Sequence, residues 1–514
     1  MLHKSLASLP RTLDQTYDRI LTAIGEEYSE YAMRILQWLT FSARPLSVEE
    51  VAEVVAIDVA RDPAFDGNEV LEDPLEVLDI CSSLVTITTN EVDRRSGSTQ
   101  RTVALAHYSV QEYLVSDRIR QGQAKQYSMQ AVKCHNTITE GCLKYLMRFQ
   151  QPISTHILEE FALARYAAQF WSNHLRKTGD EADAVSWVAM SLMSIEQPAY
   201  LVWIQLFDPD EQCEEPDLTK CLESIAMPLY YAALLGLSAI AGKLLDQGAY
   251  VNAPGGRYGN ALNAASLEGH KQVIRMLLDK GAEINGQGGD YVDALHLASL
   301  KGHEQVVKML LNNGADVNAQ CGHYDNALQA ASSKGHERVV KMLLDKDAKV
   351  NMRGGDYSNA LQAASFESRE QVVKILLDAG ADVNMQGGDY GNALQAASWG
   401  GCEQTVKMLL DKGAKVNTQG GFYGNALQAA SERGHEQVVR MLLDAGAEVN
   451  AQGGEFGNTL QAASFGSRGK VVKMLLDAGA HQDQKGSYKI ALLEFQASIP
   501  KRIARIFQSE YRGT

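Results

Sequence analysis

NALQAASWGGCEQTVKMLLDKGAKVNTQGGFYG, residues 392–424, decides the fold, because the chain repeats this pattern every 33 residues. Its opening string, NALQAAS, recurs in the same register from Asn326, Asn359, Asn392 and Asn425. Variant copies of the string begin at Met227, Asn260, Asp293 and Asn458. The eight units predict an array of small repeats, because one such unit alone cannot bury its apolar side.

Each unit predicts a pair of helices. The first is short and rich in alanine, as in residues 327–331, and the second carries Val339, Val340 and Leu343 at helical spacing. A glycine follows the second helix in most units, where a left-handed residue ends a helix. These glycines are Gly281, Gly314, Gly380, Gly413, Gly446 and Gly479. Asp347 takes the same place in one unit, and we expect it to cost a little stability there.

The period and the two-helix pattern resemble the ankyrin repeat family, whose units are joined by hairpin-like fingers. The family's usual Thr-Pro-Leu-His opening is Asn-Ala-Leu-Gln here, as at Asn392 to Gln395. We expect the fold to survive this change, since Asn and Gln offer the same helix-starting and turn-bridging hydrogen bonds. The resemblance implies a solenoid over residues 226–485, with a concave surface suited to a protein partner, and residues 486–514 as a C-terminal cap.

One position per unit, just after the serine of NALQAAS, faces the concave side in the ankyrin family. In this chain it is occupied by Leu267, Leu300, Ser333, Phe366, Trp399, Glu432 and Phe465. Exposed aromatic residues side by side are typical of binding hot spots. Two interpretations stay open: these residues bind a partner, or they pack on the neighbouring fingers.

The fingers carry a second column and a variable edge. An aromatic ring follows the two glycines of each finger, and its regularity favours a structural stack: Tyr258, Tyr291, Tyr324, Tyr357, Tyr390, Tyr423 and Phe456. The residue before each ring varies: Arg257, Asp290, His323, Asp356, Asp389, Phe422 and Glu455. This edge is a candidate determinant of specificity, and its acidic bias hints at a partner of basic character.

The N-terminal half predicts a winged-helix domain. Residues 13–57 predict three helices, the last opening with Ser47 and Glu50 in capping-box spacing, and a fourth helix covers about residues 75–84. Two β-rich runs follow from Val85 and Thr102. We therefore divide the chain, mainly α throughout, into a helical segment (1–34), a winged helix (35–120), a helical connector (121–225), the repeats and the cap.

The strings LPRTLDQTYDRIL, ILQWLTFSARPLSVEEVAEVVAID, VLDICSSLVTI and LAHYSVQEYL resemble the region after the nucleotide-binding core of fungal NACHT-type proteins of the STAND class. These are signal-transducing ATPases in which a repeat array serves as sensor arm. The sequence holds no GxxxxGK[ST] phosphate loop, so we expect the chain to begin where that core would end. The resemblance aligns His107 with a histidine that contacts bound ADP, a role that would require an ATPase core supplied in trans.

Composition narrows the function further. A formal net charge of −15 argues against general affinity for nucleic acid or anionic membranes, and the predicted winged-helix segment PLEVLDICSSL carries Glu76 and Asp79 but no cation. Seven cysteines without CxxC spacing suit a reducing compartment, and we expect a cytoplasmic location with the nucleus as an open alternative.

No constellation in the sequence predicts catalysis, a metal or a cofactor. The corner histidines are spread one to a unit, and we expect them to bond neighbouring helices: His270, His303, His336 and His435. Cys402 replaces one of them and reads as a neutral substitution. The primary hypothesis is a non-enzymatic interaction scaffold or sensor arm. The alternative is the regulatory half of a nucleotide switch that docks onto a separate ATPase core through His107.

Overall fold

The computed structural model describes residues 11–91, 99–151, 158, 160–179, 183–211, 215–286, 293–320 and 326–481. It divides into two units, one of residues 1–322 with Asp345–Asp347 and one of residues 323–344 with 348–514. The predicted fold class is confirmed: the chain is mainly helical, with an N-terminal winged helix, further helices and a C-terminal run of paired repeat helices. The predicted cap at residues 486–514 lies outside the described residues.

The first unit opens with the winged helix. Its elements are α1 (Arg11–Thr22), α2 (Ser29–Phe41), β1 (Leu46–Ser47), α3 (Val48–Val55), α4 (Glu76–Cys81), β2 (Val85–Glu91), β3 (Thr99–Leu105) and α5 (Tyr108–Leu114). The predicted capping box is confirmed: the Ser47 hydroxyl accepts from the Glu50 amide, and the Glu50 carboxylate accepts from the Ser47 amide.

The wing is an antiparallel sheet in the order β1-β3-β2. Val85 pairs with Leu105 and Glu91 with Thr99, so the two predicted strands form one hairpin. The short strand β1, which the sequence did not predict, pairs Leu46 with Val103.

Helix α1 packs against the winged helix. The Tyr113 hydroxyl donates to the Asp18 carboxylate at 2.8 Å, and the Tyr17 and Ser109 hydroxyl oxygens lie 2.6 Å apart. The boundary that we predicted between residues 34 and 35 also falls inside α2 (Ser29–Phe41). Side-chain contacts thus join α1 to the winged helix, and the division of the chain into domains stays a prediction.

The connector follows the winged helix. Its described residues include the helices α6 (Ala131–Met147), α7 (Ala164–Arg176), α8 (Asp183–Leu192) and α9 (Pro198–Leu206). The Glu53 carboxylate of α3, only 6% exposed, joins them to the winged helix. It accepts from the Tyr145 hydroxyl at 2.6 Å and from the Ala162 and Leu163 amides at 3.1 and 2.9 Å. These amides precede the first turn of α7, where the helix dipole favours a negative charge.

The repeats are helix pairs. Those in the first unit are α10 (Pro228–Leu234) with α11 (Ser238–Asp246), α12 (Ala261–Glu268) with α13 (Lys271–Asp279), and α14 (Ala294–Lys301) with α15 (Glu304–Asn312). Those in the second unit are α16 (Ala327–Lys334) with α17 (Glu337–Leu344), α18 (Ala360–Phe366) with α19 (Glu370–Asp378), α20 (Ala393–Gly400) with α21 (Glu403–Asp411), α22 (Ala426–Arg433) with α23 (Glu436–Asp444), and α24 (Thr459–Phe465) with α25 (Gly469–Asp477).

The altered opening string performs the expected tasks. The Asn392 side chain caps α20 by accepting from the Gln395 amide at 2.9 Å. The Gln395 side chain donates to the carbonyls of Thr418 and Gly424 at 3.0 and 3.2 Å, so it bridges two successive turns. After the second helices, the predicted left-handed glycines are confirmed, with Gly413 at φ +86° and Asp347 forced to φ +65°.

A further periodic link, which we did not predict from the sequence, is an asparagine side chain that joins one repeat to the next; we call it the asparagine bridge. The Asn384 side chain donates to the Gly413 carbonyl at 3.1 Å and accepts from the Lys415 amide at 2.8 Å. The same two bonds recur at Asn351, Asn417 and Asn450. Successive repeats of the second unit are thus joined by one asparagine side chain that has two backbone partners.

Candidate protein-interaction surface

The fingers of the second unit carry the predicted stack of rings, which we call the aromatic ladder: Tyr357, Tyr390, Tyr423 and Phe456. Successive ring centroids lie 5.9, 6.4 and 6.3 Å apart, and the planes differ by 11°, 21° and 20°. This is offset stacking, so the prediction that each ring covers its neighbour is confirmed for these residues. Tyr291 and Tyr324 lie outside the described residues.

A second set of rings lies against this ladder at the ends of the first helices; we call it the inner column: Phe366, Trp399 and Phe465. Phe366 stacks on Trp399 at 4.9 Å and meets the Tyr390 ring at 4.5 Å. Phe465 contacts Phe456 at 5.2 Å. The Arg433 guanidinium lies 4.3 Å from the centre of a Trp399 ring, in cation–π geometry.

Exposure differs along the inner column. Phe366 is only 7% exposed, whereas Trp399 is partly buried and Phe465 is 41% exposed. The expectation of an exposed side chain is therefore wrong for Phe366, because rings on both sides enclose it. In the first unit Leu267 is 6% exposed and Leu300 is partly buried, so Leu267 is also a packed residue.

The variable residues before each ring form a row that we call the finger edge: Asp356, Asp389, Phe422 and Glu455. The Phe422 amide donates to the Asp389 carbonyl at 2.7 Å, and the Glu455 amide donates to the Phe422 carbonyl at 3.0 Å. Asp389 and Glu455 are exposed, while Asp356 and Phe422 are partly buried. Asp290 and His323 lie outside the described residues.

Glycine allows these fingers to approach so closely. Gly421 has φ +67°, and a Cβ there would lie 2.5 Å from the Gly391 amide nitrogen. Gly454 repeats this geometry, with a Cβ 2.6 Å from the Gly424 nitrogen. Any side chain would push neighbouring fingers apart, and the edge is therefore a row of bonded backbones.

The corner histidines bond between helices as predicted. The Nε2 atoms of His270, His303 and His435 lie 3.1, 2.8 and 2.9 Å from the carbonyl oxygens of Leu234, Leu267 and Trp399. Where an arginine stands instead, its Nε donates to the equivalent carbonyl, as Arg369 does to Ser333 at 3.0 Å and Arg468 to Glu432 at 3.2 Å. These side chains have a structural use.

Cys402 departs from this rule together with its neighbour Ser368. In other units a glycine lies under the corner side chain; a Cβ at Gly401 would lie 2.5 Å from the His435 ring. Ser368 occupies that glycine position with φ +57°, and its hydroxyl contacts the Cys402 thiol. A small residue at 402 therefore compensates for a larger one at 368, which explains the cysteine better than a neutral substitution does.

His107 is the N-cap of α5. Its Nδ1 accepts from the Ser109 amide at 3.2 Å and lies 2.6 Å from the Ser109 hydroxyl. The ring is exposed beside Tyr108, at a centroid distance of 4.3 Å. Capping accounts for the position of the imidazole within this chain, and the nucleotide-sensing role stays a prediction.

The connector buries a pair of histidines. The His135 and His174 Nδ1 atoms lie 2.9 Å apart, and His174 Nε2 lies 2.9 Å from the Tyr166 hydroxyl, which accepts from the Ala43 amide at 2.9 Å. One arrangement that satisfies these contacts has the Tyr166 hydroxyl donate to His174 Nε2 and His174 Nδ1 donate to His135 Nδ1. Burial lowers the pKa of His135 to about 4 and that of His174 to about 3, so both rings are neutral at pH 7.

The residues that the structure describes contain no group of three or more His, Cys, Asp or Glu side chains placed to hold a metal ion. Within the same part of the chain, no helix combines the length and apolar character that crossing a bilayer requires.

Comparison with known proteins agrees with this architecture. The family model described as "Ankyrin repeats (3 copies)" matches in overlapping stretches that together span half of the chain, residues 229–486. The chain belongs to the ankyrin-repeat family. A second model, "GPI inositol-deacylase, winged helix domain", matches residues 17–130 and begins within α1.

A relative is the "Azaphilone pigments biosynthesis cluster protein L" of Monascus ruber, 38% identical over 278 residues. That match covers 52% of this chain and 58% of the relative, so this chain spans little more than half of the relative's length. Among solved structures, the human ASB11 ankyrin repeat domain is 26% identical, with a TM-score of 0.39, and the match covers 43% of this chain and 99% of that one.

Proposed function

We propose that this chain is a non-catalytic scaffold or sensor arm that binds a protein partner through the inner column and finger edge of its second unit. The observation that carries the proposal is the mixed exposure of one continuous aromatic surface. Phe366 anchors it at 7% exposed, while Phe465 at 41% and the partly buried Trp399 present ring surface to solvent. A rigid support with accessible rings is the arrangement that binding hot spots need.

The chemistry of this surface favours a macromolecular partner. The Arg433 guanidinium lies 4.3 Å from the centre of a Trp399 ring, so a planar cation and an aromatic ring stand together. Tryptophan and arginine are among the residue types enriched at hot spots, and rings held by neighbouring rings lose little conformational entropy on binding. Ankyrin repeats support protein interaction as their general role.

The winged helix and connector serve as the base of this arm in our proposal. Asp210 of the connector is 8% exposed and accepts from the Tyr230 hydroxyl and from the Arg257 amide, both at 2.5 Å. Tyr230 belongs to α10 and Arg257 to the first finger. The connector is therefore tied to the first repeat by a buried polar link, which suits a STAND-like signalling context in the cytoplasm.

The test is affinity capture from native cytosol with the whole chain and with a Phe465→Asp, Arg433→Glu variant. Both changes alter the solvent-facing part of the surface and leave Phe366 in place. The matched control is Leu476→Asp, a residue 51% exposed on α25 of the same repeat. Circular dichroism must first show that all three chains fold alike.

We expect the surface variant to lose partners that the parent chain and the Leu476→Asp control both retain. Equal capture by all three chains would contradict the surface assignment. Recovery of a P-loop ATPase by all three would favour the alternative, a regulatory half that docks through the winged helix.

A further inference from the structure

We propose that the finger edge of the second unit binds an extended, strand-like segment of a partner protein. In this segment, residues i, i+2 and i+4 are basic, large and apolar, and basic, and the two residues between them can be of any type. The three facing side chains would lie on Asp389, Phe422 and Glu455. This inference rests on the proposed binding function and adds the chemistry of the partner.

The first support is the geometry of the row. Backbone hydrogen bonds of 2.7 and 3.0 Å join Phe422 to Asp389 and Glu455 to Phe422, so the three residues lie side by side on adjacent fingers. The ring of the residue that follows each of them recurs at a regular interval, with Tyr390, Tyr423 and Phe456 at successive distances of 6.4 and 6.3 Å, and we take this interval as the spacing of the row.

That spacing matches an extended chain. Every second side chain of a strand points to the same face, at intervals of about 6.6 Å. A segment running along the row thus places residues i, i+2 and i+4 opposite three successive fingers. A helix, whose neighbours on one face recur every three or four residues at about 5–6 Å, fits less well in register because its face curves away.

The second support is the chemical order along the row. Asp389 and Glu455 are exposed carboxylates, and between them stands the half-buried Phe422 ring, in contact with Tyr423 at 5.1 Å and Phe456 at 6.2 Å. An acid, an aromatic and an acid therefore follow one another. The complementary sequence is a cation, a large apolar residue and a cation, and arginine can pair with a carboxylate through two hydrogen bonds while stacking on the face of a neighbouring ring.

Two cations close to this row in the sequence have contacts elsewhere. Arg433 is held over Trp399, and Arg468 donates to the Glu432 carbonyl. Arg353 stands on the finger of Asp356, one place beyond the proposed row. Within the row itself, the two charged residues, Asp389 and Glu455, are both acidic.

The experiment measures fluorescence anisotropy of labelled peptides titrated with the whole chain. One peptide carries Arg-Ser-Phe-Ser-Arg between Gly-Ser flanks, and a second has the same composition in the order Arg-Arg-Ser-Ser-Phe. We expect the alternating peptide to bind at least tenfold more tightly. Its affinity should fall several-fold between 50 and 300 mM salt, because exposed ion pairs are screened.

The test variant is Asp389→Lys with Glu455→Lys, and we expect it to weaken the alternating peptide at least tenfold. The matched control, Asp411→Lys with Asp444→Lys, changes net charge equally at exposed positions on the second helices of two repeats in the same unit. It should leave the affinity within twofold. The isosteric pair Asp389→Asn with Glu455→Gln guards against misfolding and should still weaken binding several-fold.

Three outcomes would overturn the proposal: equal binding of the two peptides, equal loss in the test and control variants, or self-association of the chain that the test variant abolishes. The last would assign the edge to a second copy. If the peptides fail but cytosolic partners still depend on Phe465 and Arg433, only this inference falls; if partner capture is also indifferent to those residues, the proposed function falls with it.

Discussion

The connector and the repeats differ in how their polar groups are hydrogen-bonded. In the first unit, buried polar groups are joined by single links between distant residues, such as Glu53 to Tyr145 and His135 to His174. In the second unit, the same few bonds recur in successive repeats: the buried Gln362, Gln395 and Gln428 side chains each donate to a carbonyl 23 residues further on, and the asparagine bridges repeat at the surface. When a hydrogen bond occurs once, no equivalent bond remains after its removal. When it recurs in every repeat, the loss of one leaves the others in place. We therefore expect substitutions to cost more in the first region.

The largest effect should come from Glu53→Ala. It leaves the Tyr145 hydroxyl and the Ala162 and Leu163 amides without their acceptor in a buried site. Removing one member of such a buried group costs about 3–5 kcal/mol. Urea unfolding followed by circular dichroism measures the loss. Asn384→Ala, which removes two bonds in the repeats, should cost about 1 kcal/mol. Equal losses would contradict the comparison.

Within the repeats, Phe366→Ala should cost roughly 3 kcal/mol, because truncation of a buried phenylalanine leaves a cavity. Phe465→Ala, at a ring that is 41% exposed, should cost less than about 1 kcal/mol. Trp399 is the one tryptophan of the second unit's sequence and reports this region by fluorescence, because the other four precede residue 204. A larger loss at Phe465 would mean that the outer end of the column is the better packed one.

The buried histidines should make the first unit sensitive to acid. Their folded pKa values, about 4 and 3, lie below the ordinary 6.5, so the unfolded chain takes up protons first as the pH falls. The free energy of unfolding should therefore decrease from pH 6.5 towards pH 4, by up to about 1.4 kcal/mol per pH unit for each ring. Denaturant midpoints at pH 7, 6 and 5 measure this slope.

A His135→Gln variant separates the two rings. Glutamine offers both a donor and an acceptor to His174 but does not titrate. The slope between pH 6.5 and 5 should fall by roughly a third, because the buried His296 ring, whose pKa burial lowers to about 4, also takes up a proton on unfolding in this range. An unchanged slope would assign the acid sensitivity to other groups.

The smallest effect concerns the compensating pair in the repeats. Cys402→His alone should destabilise by about 1–2 kcal/mol, because the ring meets the Ser368 side chain. Adding Ser368→Gly should recover this loss, since glycine both clears the space and accepts φ +57° at ease. A double-mutant cycle by urea unfolding gives the coupling. Additive effects would show that the two positions are independent.

The repeats could be predicted from sequence because period and role coincide. Recurrence at 33 residues identified the helix pairs, the left-handed glycines and the aromatic ladder. Recurrence alone could not rank Phe366 and Phe465, since the two occupy the same place in their units. Phe366 is 7% exposed because rings of two adjoining fingers surround it, whereas Phe465 is 41% exposed.

The first unit could be predicted only at the level of helices and strands. Capping at Ser47 is local and was visible in the sequence. The partners of Glu53 lie 92 to 110 residues away, and no spacing marks them. The contacts that hold α1 to α5 are likewise distant in sequence, so no spacing marks them either.

The asparagine bridge has a consequence for how such a chain changes over generations. Each bridge joins residues 29 and 31 positions apart, so it is restored whenever a segment of one full period is lost or copied. Unequal recombination within the gene can then lengthen or shorten the array while every junction keeps its bonds. The repeated NALQAAS strings supply the sequence similarity that such recombination requires. The residues of the finger edge can differ from one repeat to the next while the bonds between repeats stay the same.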